Sequence, residues 1–229
     1  MDLGLALRTR RSIRVYRRDA VPRAVIKEIL DTAVRAPSSF NSQPWEFVVA
    51  SGQSLDAIRD HNEQMLARGE PPHPDFPAKR LEGVYRQRQL EVFAELCRLE
   101  GVDPHNKAAV ACLRRRSYRF FEAPAAIIIS FDGSLDAVRA HFDLGMVSQN
   151  ICLGALAQNL GTCLCLEAVS YAEKIREVCA IPPEKKICVA IALGYPDTGH
   201  PANRLLSQRE PVGNLTRWAG FENEEASEA

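Results

Sequence analysis

A chain of 229 residues with 46% hydrophobic and 25% charged side chains can bury the core of a single globular domain. Its 29 basic and 29 acidic residues cancel, so no net field favours nucleic acid or an anionic membrane surface, and we expect neither as a partner. The apolar stretches fall short of the roughly 20 residues that span a bilayer, and the patch at 3–7 is too short for a secretion signal, so we expect a cytoplasmic protein.

Over the first 51 residues, predicted helices alternate with polar segments. Residues 3–9 favour a short helix, and the Arg-Arg-Ser-Ile-Arg run at 10–14 favours an extended segment. Apolar residues at helical spacing predict a helix over 22–34. Proline, serine and asparagine predict a loop at 36–44, and residues 45–51 are typical of a strand.

The rest of the chain divides into a charged part and an apolar part. Charged helices are predicted over 53–68 and 79–100, and a proline-rich stretch separates them, so 53–119 resembles an insertion or lid. The apolar part predicts a strand over 125–131 and a long helix over 135–160 with Gly161 as its C-cap. An extended piece over 162–169, a helix over 172–178 and a strand over 186–193 follow. Four short strands separated by helices indicate an α+β fold.

The cysteines and histidines give no sign of a metal site. The seven cysteines are an odd number scattered through apolar segments, which favours reduced core thiols over disulfides. Cys163 and Cys165 form a C-x-C, but no second pair and no histidine at zinc-ligand spacing accompanies them. We therefore predict no metal.

Three segments carry candidate binding residues. The arginines at 10–14 flank Ser12 and could bind a phosphate, although a solvated charge run is the alternative. The loop at 36–44 would present small polar groups to a flat heterocycle, or it is an ordinary turn. Arg204 and Arg209 follow a predicted strand end and also suit a phosphate, with solvated surface arginines as the alternative.

Several common motifs are absent from the sequence. It contains neither a G-x-G-x-x-G after a strand nor a G-x-x-x-x-G-K-[ST], so a Rossmann dinucleotide site and a P-loop are unsupported. A G-x-S-x-G elbow and a close Cys/His pair are also missing, which argues against hydrolase chemistry.

Four segments taken in order resemble the nitroreductase family over nearly the whole chain. They are 10–14, the A-P-S-S-x-N-S-Q-P-W stretch at 36–45, 145–161 with its Gln-Asn pair, and Gly-Tyr-Pro at 194–196. The resemblance implies an α+β fold with a central, mainly antiparallel sheet flanked by helices, in a domain-swapped homodimer with two FMN sites at its interface. It also implies a single FMN-binding domain over 1–229, with a helical insertion at about 53–119 and an extended C-terminal arm at about 197–229.

The resemblance implies that residues near both ends of the chain bind the FMN phosphate. The first flavin-binding segment would comprise Arg10, Arg11, Ser12 and Arg14. Arg209 resembles the C-terminal phosphate-binding arginine of the family, and Arg204 is a second candidate for that role.

The resemblance also assigns contacts with the flavin ring. The loop that the other subunit lends to the ring and ribityl chain would contain Pro37, Ser38, Ser39 and Asn41. Backbone N–H groups at the flavin N5 and O4 edge would come from Leu166, Glu167 and Ala168. At the third of these positions a glycine is common in the family.

The activity implied is that of an FMN-dependent oxidoreductase that uses NAD(P)H to reduce nitroaromatic, quinone or related small aromatic acceptors by a ping-pong mechanism. The chemistry takes place on flavin N5, so no side chain is named as catalytic. The segment at 79–119 resembles a longer subgroup associated with nitroaromatic acids, in which such helices line the substrate channel. The alternatives are a same-fold dehydrogenase, reductive dehalogenase or flavin-fragmenting enzyme, a non-catalytic flavin carrier or sensor, and an interaction protein without cofactor.

Overall fold

The structure, a computed structural model, describes residues 2–221, so residues 222–229 of the predicted arm lie outside the described part. In chain order the helices and strands are α1 (Leu3–Thr9), α2 (Arg23–Ala33), β1 (Glu46–Ser51), α3 (Gly52–Arg68), α4 (Gly83–Glu100), α5 (Lys107–Tyr118), β2 (Ala125–Asp132), α6 (Ala137–Ala157), β3 (Gly161–Cys165), α7 (Ala172–Cys179) and β4 (Lys185–Gly194). Short 3₁₀ turns connect several of them, at Ser39–Asn41, Phe120–Glu122, Glu167–Val169, Pro201–Arg204 and Val212–Asn214. The predicted α+β class is confirmed.

The four strands form one sheet in the order β1-β2-β4-β3, and every neighbouring pair is antiparallel. The two central strands, β2 and β4, are almost wholly buried, because helices cover both faces of the sheet. The antiparallel sheet flanked by helices was therefore predicted correctly.

Alternation along the strands divides the core into two layers. On one face, Ile127 and Ile129 of β2 pack with Ile29 of α2 and Ile151 of α6. On the other face, residues of β2 and β4 that include Ile128 pack with α3 and α7. Successive strand residues point to opposite faces, which is why an unbroken apolar run in β2 serves both layers.

A third apolar cluster lies apart from the sheet and joins α4 and α5 to the C-terminal arm. Leu96 of α4 and Leu113 of α5 are buried with Ala202 and Leu205 of the arm. Each buried leucine contributes about 1.5–3 kcal/mol. The cluster therefore fixes the helices at 83–118 against the last part of the chain.

Gly161 does not cap α6, contrary to the prediction. The helix ends at Ala157, and Asn159 takes the left-handed conformation with φ of 57°, which asparagine tolerates. Gly161 is instead the first residue of β3, where an added Cβ would lie 2.5 Å from Cγ1 of Ile13. A glycine is required there because the N-terminal segment passes too close for a side chain.

The structure differs from the predicted elements at three further places. Helix α4 begins at Gly83 rather than at 79, since Gly83 has a φ of +55° that interrupts a right-handed helix. Helix α5 was missed as a separate element, although Asn106 caps it by accepting a hydrogen bond from the Ala109 amide at 3.1 Å. The extended piece predicted over 162–169 is a strand only as far as Cys165.

Candidate functional site

The arginine segment at 10–14 is extended, as predicted, and lies beside the sheet. Ser12 forms an isolated bridge with Thr162 of β3, and the amide of Ile13 donates to the Thr162 carbonyl at 2.9 Å. Tyr16 follows, and its buried hydroxyl donates to the Ile13 carbonyl at 2.7 Å. Burial raises the pKa of Tyr16 well above its usual value, so this hydroxyl stays neutral behind the arginines.

Two residues far along the chain hold this segment in place. Oδ1 of Asn203 accepts from the amides of Arg14 and Val15 at 2.8 and 3.2 Å, and its Nδ2 donates to the Val15 carbonyl at 2.7 Å. Arg116 of α5 donates to the Arg14 carbonyl at 2.9 Å. Sequence reasoning missed both residues, because no motif links positions that are so far apart in the chain.

A cavity of about 150 Å³ brings the arginine segment together with the C-terminal arm. Its polar lining comprises Arg10, Arg11, Ser12, Arg14, Ser207 and Arg209. Four arginines and two serines around so small a space form a donor set that suits a phosphate, because guanidinium groups bind phosphate oxygens bidentately. Arg204 is exposed in a 3₁₀ turn and does not line this cavity, so the structure separates the two C-terminal arginines.

The loop at 37–43 is held in place by a buried carboxylate on α6. The amide of Ser39 donates to both oxygens of Asp143, at 3.2 and 3.1 Å, and the hydroxyls of Ser39 and Ser42 lie 3.4 and 3.5 Å from the same carboxylate. Asp143 is 1% exposed. Sequence reasoning did not identify Asp143, since nothing in α6 signals a buried acid that binds a loop.

The same loop presents its tip to solvent. Phe40 is 95% exposed, and both Phe40 and Asn41 have positive φ. Pro37 is exposed, while Ser38 is half-buried and accepts from the Gln43 amide at 3.0 Å. None of these loop residues lines the arginine cavity, so within one chain the two predicted halves of the site are not brought together.

The third predicted segment, 166–168, follows β3. Leu166 and Glu167 are exposed, whereas Ala168 is fully buried in the core between α3 and the sheet. Asn62 of α3 donates from Nδ2 to the carbonyls of Ala168 and Tyr118, at 3.0 and 2.8 Å, and thereby ties this segment to α5. Sequence reasoning also missed Asn62.

A second cavity, of about 390 Å³, lies between α4, α5 and Glu167. Its lining residues are Arg86, Gln89, Leu90, Phe93, Arg114, Ser117, Tyr118 and Glu167. A neighbouring cavity of about 560 Å³ lies between α4 and the arm, and it shares five lining residues with the arginine cavity: Val92, Leu205, Leu206, Ser207 and Arg209. The helices of the region predicted as an insertion therefore line the space beside two of the three candidate segments.

The cysteines differ from the prediction at one position. All seven are free, and Cys97, Cys152, Cys163 and Cys165 are buried. Cys112 is exposed on α5, so it is not a core thiol. Among residues 2–221, no group of three or more histidine, cysteine or acidic side chains could hold a metal ion, and no helix is both long and apolar enough to cross a membrane.

Comparison with protein families places most of the chain in one family. Residues 7–195 match the model of the nitroreductase family. A 4-nitrobenzoate reductase of Nocardioides sp. (strain LMS-CY) is 32% identical over 216 residues, which cover 90% of this chain and 85% of the relative. A 4-nitrobenzoate reductase of Pseudomonas putida is 29% identical over 96% of this chain and 97% of its own length.

Comparison with solved structures gives a similar fold. The FMN- and NADPH-dependent nitroreductase NfnB from Sphingopyxis sp. strain HMH superposes with a TM-score of 0.92 at 25% sequence identity. The match covers 96% of this chain and all of the NfnB chain. The chain and NfnB therefore share one fold along almost their whole length.

Proposed function

The chain belongs to the nitroreductase family, and from that premise we propose that it is an FMN-dependent oxidoreductase that uses NAD(P)H to reduce nitroaromatic, quinone or related small aromatic acceptors. The observation that carries the proposal is the arginine cavity, in which residues 10–14 meet Arg209. Positions about 200 residues apart converge there on a donor set for one phosphate. A chain without a phosphorylated cofactor would have little reason to concentrate like charges in that way.

The residues present fit FMN in their chemistry. Arg10, Arg11, Arg14 and Arg209 would hold the phosphate, and Ser12 would add a hydroxyl donor. The backbone at 166–168 would face the ring edge. The bound flavin supplies a ring that accepts a hydride from NAD(P)H and then passes electrons to the acceptor, so we expect ping-pong kinetics.

We propose a homodimer in which the loop at 37–41 completes the site of the partner subunit. An exposed apolar face supports the proposed dimer, and it lies on the same side of the sheet as this loop. Val138 and Phe142 of α6 are 80% and 70% exposed, one helical turn apart, and Leu3 of the neighbouring helix α1 is 66% exposed. Apolar side chains that are exposed together are typical of an interface between proteins.

Steady-state kinetics with the purified protein test the activity. We expect a yellow protein that oxidises NADH or NADPH in the presence of a nitroarene or a quinone, with parallel lines in double-reciprocal plots when both substrates are varied. The cytoplasmic location stays a prediction. A flavin that NAD(P)H does not bleach under anaerobic conditions would instead favour the dehydrogenase, dehalogenase or carrier alternatives.

A further inference from the structure

The cavity between α4 and α5 has the size and the walls of a site for a small aromatic molecule. Its volume of about 390 Å³ lies within the range of about 300–1,000 Å³ that is usual for ligand sites. Leu90 and Phe93 provide apolar walls, and Tyr118 adds an aromatic ring with a hydroxyl. An arene with a single substituent at each end fits such a space.

The two arginines that line this cavity, Arg86 and Arg114, have no carboxylate partner within residues 2–221. Their neighbours in sequence are paired: Arg88 with Glu210 at 2.7 Å and Arg116 with Glu100 at 2.5 Å. Among residues 2–221, Arg86 donates only to the neutral amide oxygen of Gln89, at 2.5 Å, and Arg114 forms no ion pair. The charges of Arg86 and Arg114 are thus available to a ligand in the cavity, whereas those of Arg88 and Arg116 are neutralised by carboxylates.

Arg114 is also restrained in its orientation. Its guanidinium carbon lies 4.9 Å from the ring centroid of Phe93, a cation–π contact that limits the rotation of the side chain. A guanidinium held in this way loses less freedom when it forms two parallel hydrogen bonds with a carboxylate. Among the cavity residues only Glu167 is acidic, and it belongs to the segment predicted at the flavin edge.

We propose that Arg114, assisted by Arg86, binds the carboxylate of an aromatic acid and so determines the preference of the enzyme for anionic acceptors. This assignment rests on the proposed function. Glu167 repels a carboxylate and Arg114 attracts it, so the acid group lies at α4 and α5 while the reducible group points towards 166–168. Arg114 thus acts through substrate orientation as well as affinity.

The test compares 4-nitrobenzoate with its uncharged methyl ester. We expect R114Q to lower kcat/KM for the acid by about 10- to 100-fold, through a higher KM and a lower kcat, and for the ester by less than about threefold, because only the acid loses a charge-assisted hydrogen bond. R114K should fall between, since lysine keeps the charge but not the planar fork. The dissociation constant of benzoate, measured by calorimetry, should rise in R114Q as well.

The matched control is R98Q, because Arg98 lies on α4 but is exposed and paired with Glu95 rather than facing the cavity. It should leave both acceptors within about twofold of the wild type. Equal losses on acid and ester in R114Q would contradict the proposal. So would a rise in KM for NADPH with no rise for NADH or for the acid, since Arg114 would then bind the nicotinamide 2′-phosphate. A wild-type protein that reduces neither acceptor would contradict the proposed function itself.

Discussion

The two halves of the proposed flavin site differ in how complete they are within one chain. The arginine half is closed, because Asn203 and Arg116 hold residues 10–14 and Arg209 completes the lining from the arm. The loop half is equally well anchored, on Asp143, but it faces solvent on the layer that carries the exposed Phe142. The proposed homodimer would account for this difference, because the loop would then complete the site of the partner subunit.

The largest expected effect comes from placing a charge on the exposed face. Phe142→Asp should raise the dissociation constant of the dimer by more than about 100-fold, because an unpaired carboxylate would be buried at the interface. FMN should be lost with the dimer, since in the proposed homodimer each site would need both chains. Light scattering with absorbance near the flavin maximum measures both quantities together.

Ala180→Asp is the control for that variant. Ala180 lies at the end of α7 on the opposite layer of the sheet, with φ of 52°, a conformation that aspartate tolerates. It adds the same charge and should leave both the dimer and the flavin in place. A Phe142→Asp protein that remains a flavin-loaded dimer would show that the exposed face is not the interface.

A smaller effect is expected from the arginine half alone. Arg14→Ala should weaken FMN binding by about 10- to 100-fold, the loss of one charge-assisted phosphate contact, while the dimer persists. Arg68→Ala, in the exposed last turn of α3, should change binding by less than about twofold. Flavin fluorescence quenching on titration of the apoprotein gives both constants. If the two variants bind FMN equally well, the phosphate lies elsewhere.

The loop half can be perturbed through its anchor. Asp143→Ala should lower the free energy of unfolding by about 1–3 kcal/mol, because the partly buried Ser39 amide loses its acceptor. Asp31→Ala, which removes an exposed partner of Lys27, should cost less than about 0.5 kcal/mol. Urea denaturation of both apoproteins provides the comparison. If the two costs are the same, the anchor is not what orders the loop.

An effect of similar size on stability is expected where the arginine segment touches the sheet. Gly161→Ala should cost about 1–3 kcal/mol and also weaken FMN binding, since the new methyl group displaces Ile13 and with it residues 10–14. Gly213→Ala, where an added Cβ has nothing within 4 Å, should stay within about 0.5 kcal/mol. Thermal unfolding separates the two. A Gly161→Ala protein of native stability would contradict the close approach.

The sequence predicted those parts of the molecule that depend on local pattern. Helix α2 and strand β2 follow from apolar periodicity, and the loop at 36–44 follows from its proline, serine and asparagine. Gly161 was misread because glycine after a helix usually acts as a cap, whereas here the requirement comes from Ile13, which is distant in sequence. Local pattern carries no information about such contacts.

The same reason explains what was missed in the candidate site. The predicted site residues were identified from four motifs whose order along the chain resembles that of the family. Asn203, Asp143 and Asn62 hold those motifs in place through contacts with residues 104 to 189 positions away in the chain. A buried polar residue that binds backbone groups has no sequence signature of its own.

Mixed dimers test the shared site most directly. One chain would carry Arg14→Glu, and the other Ser38→Glu, where an extended φ of −146° accepts glutamate without backbone strain. Each homodimer should be nearly inactive. In a mixed dimer one site contains both altered halves and the other contains none, so random assembly of equal amounts should restore about a quarter of wild-type activity, from half of the dimers with half of their sites. A mixture no more active than its two parents would contradict a site built from two chains.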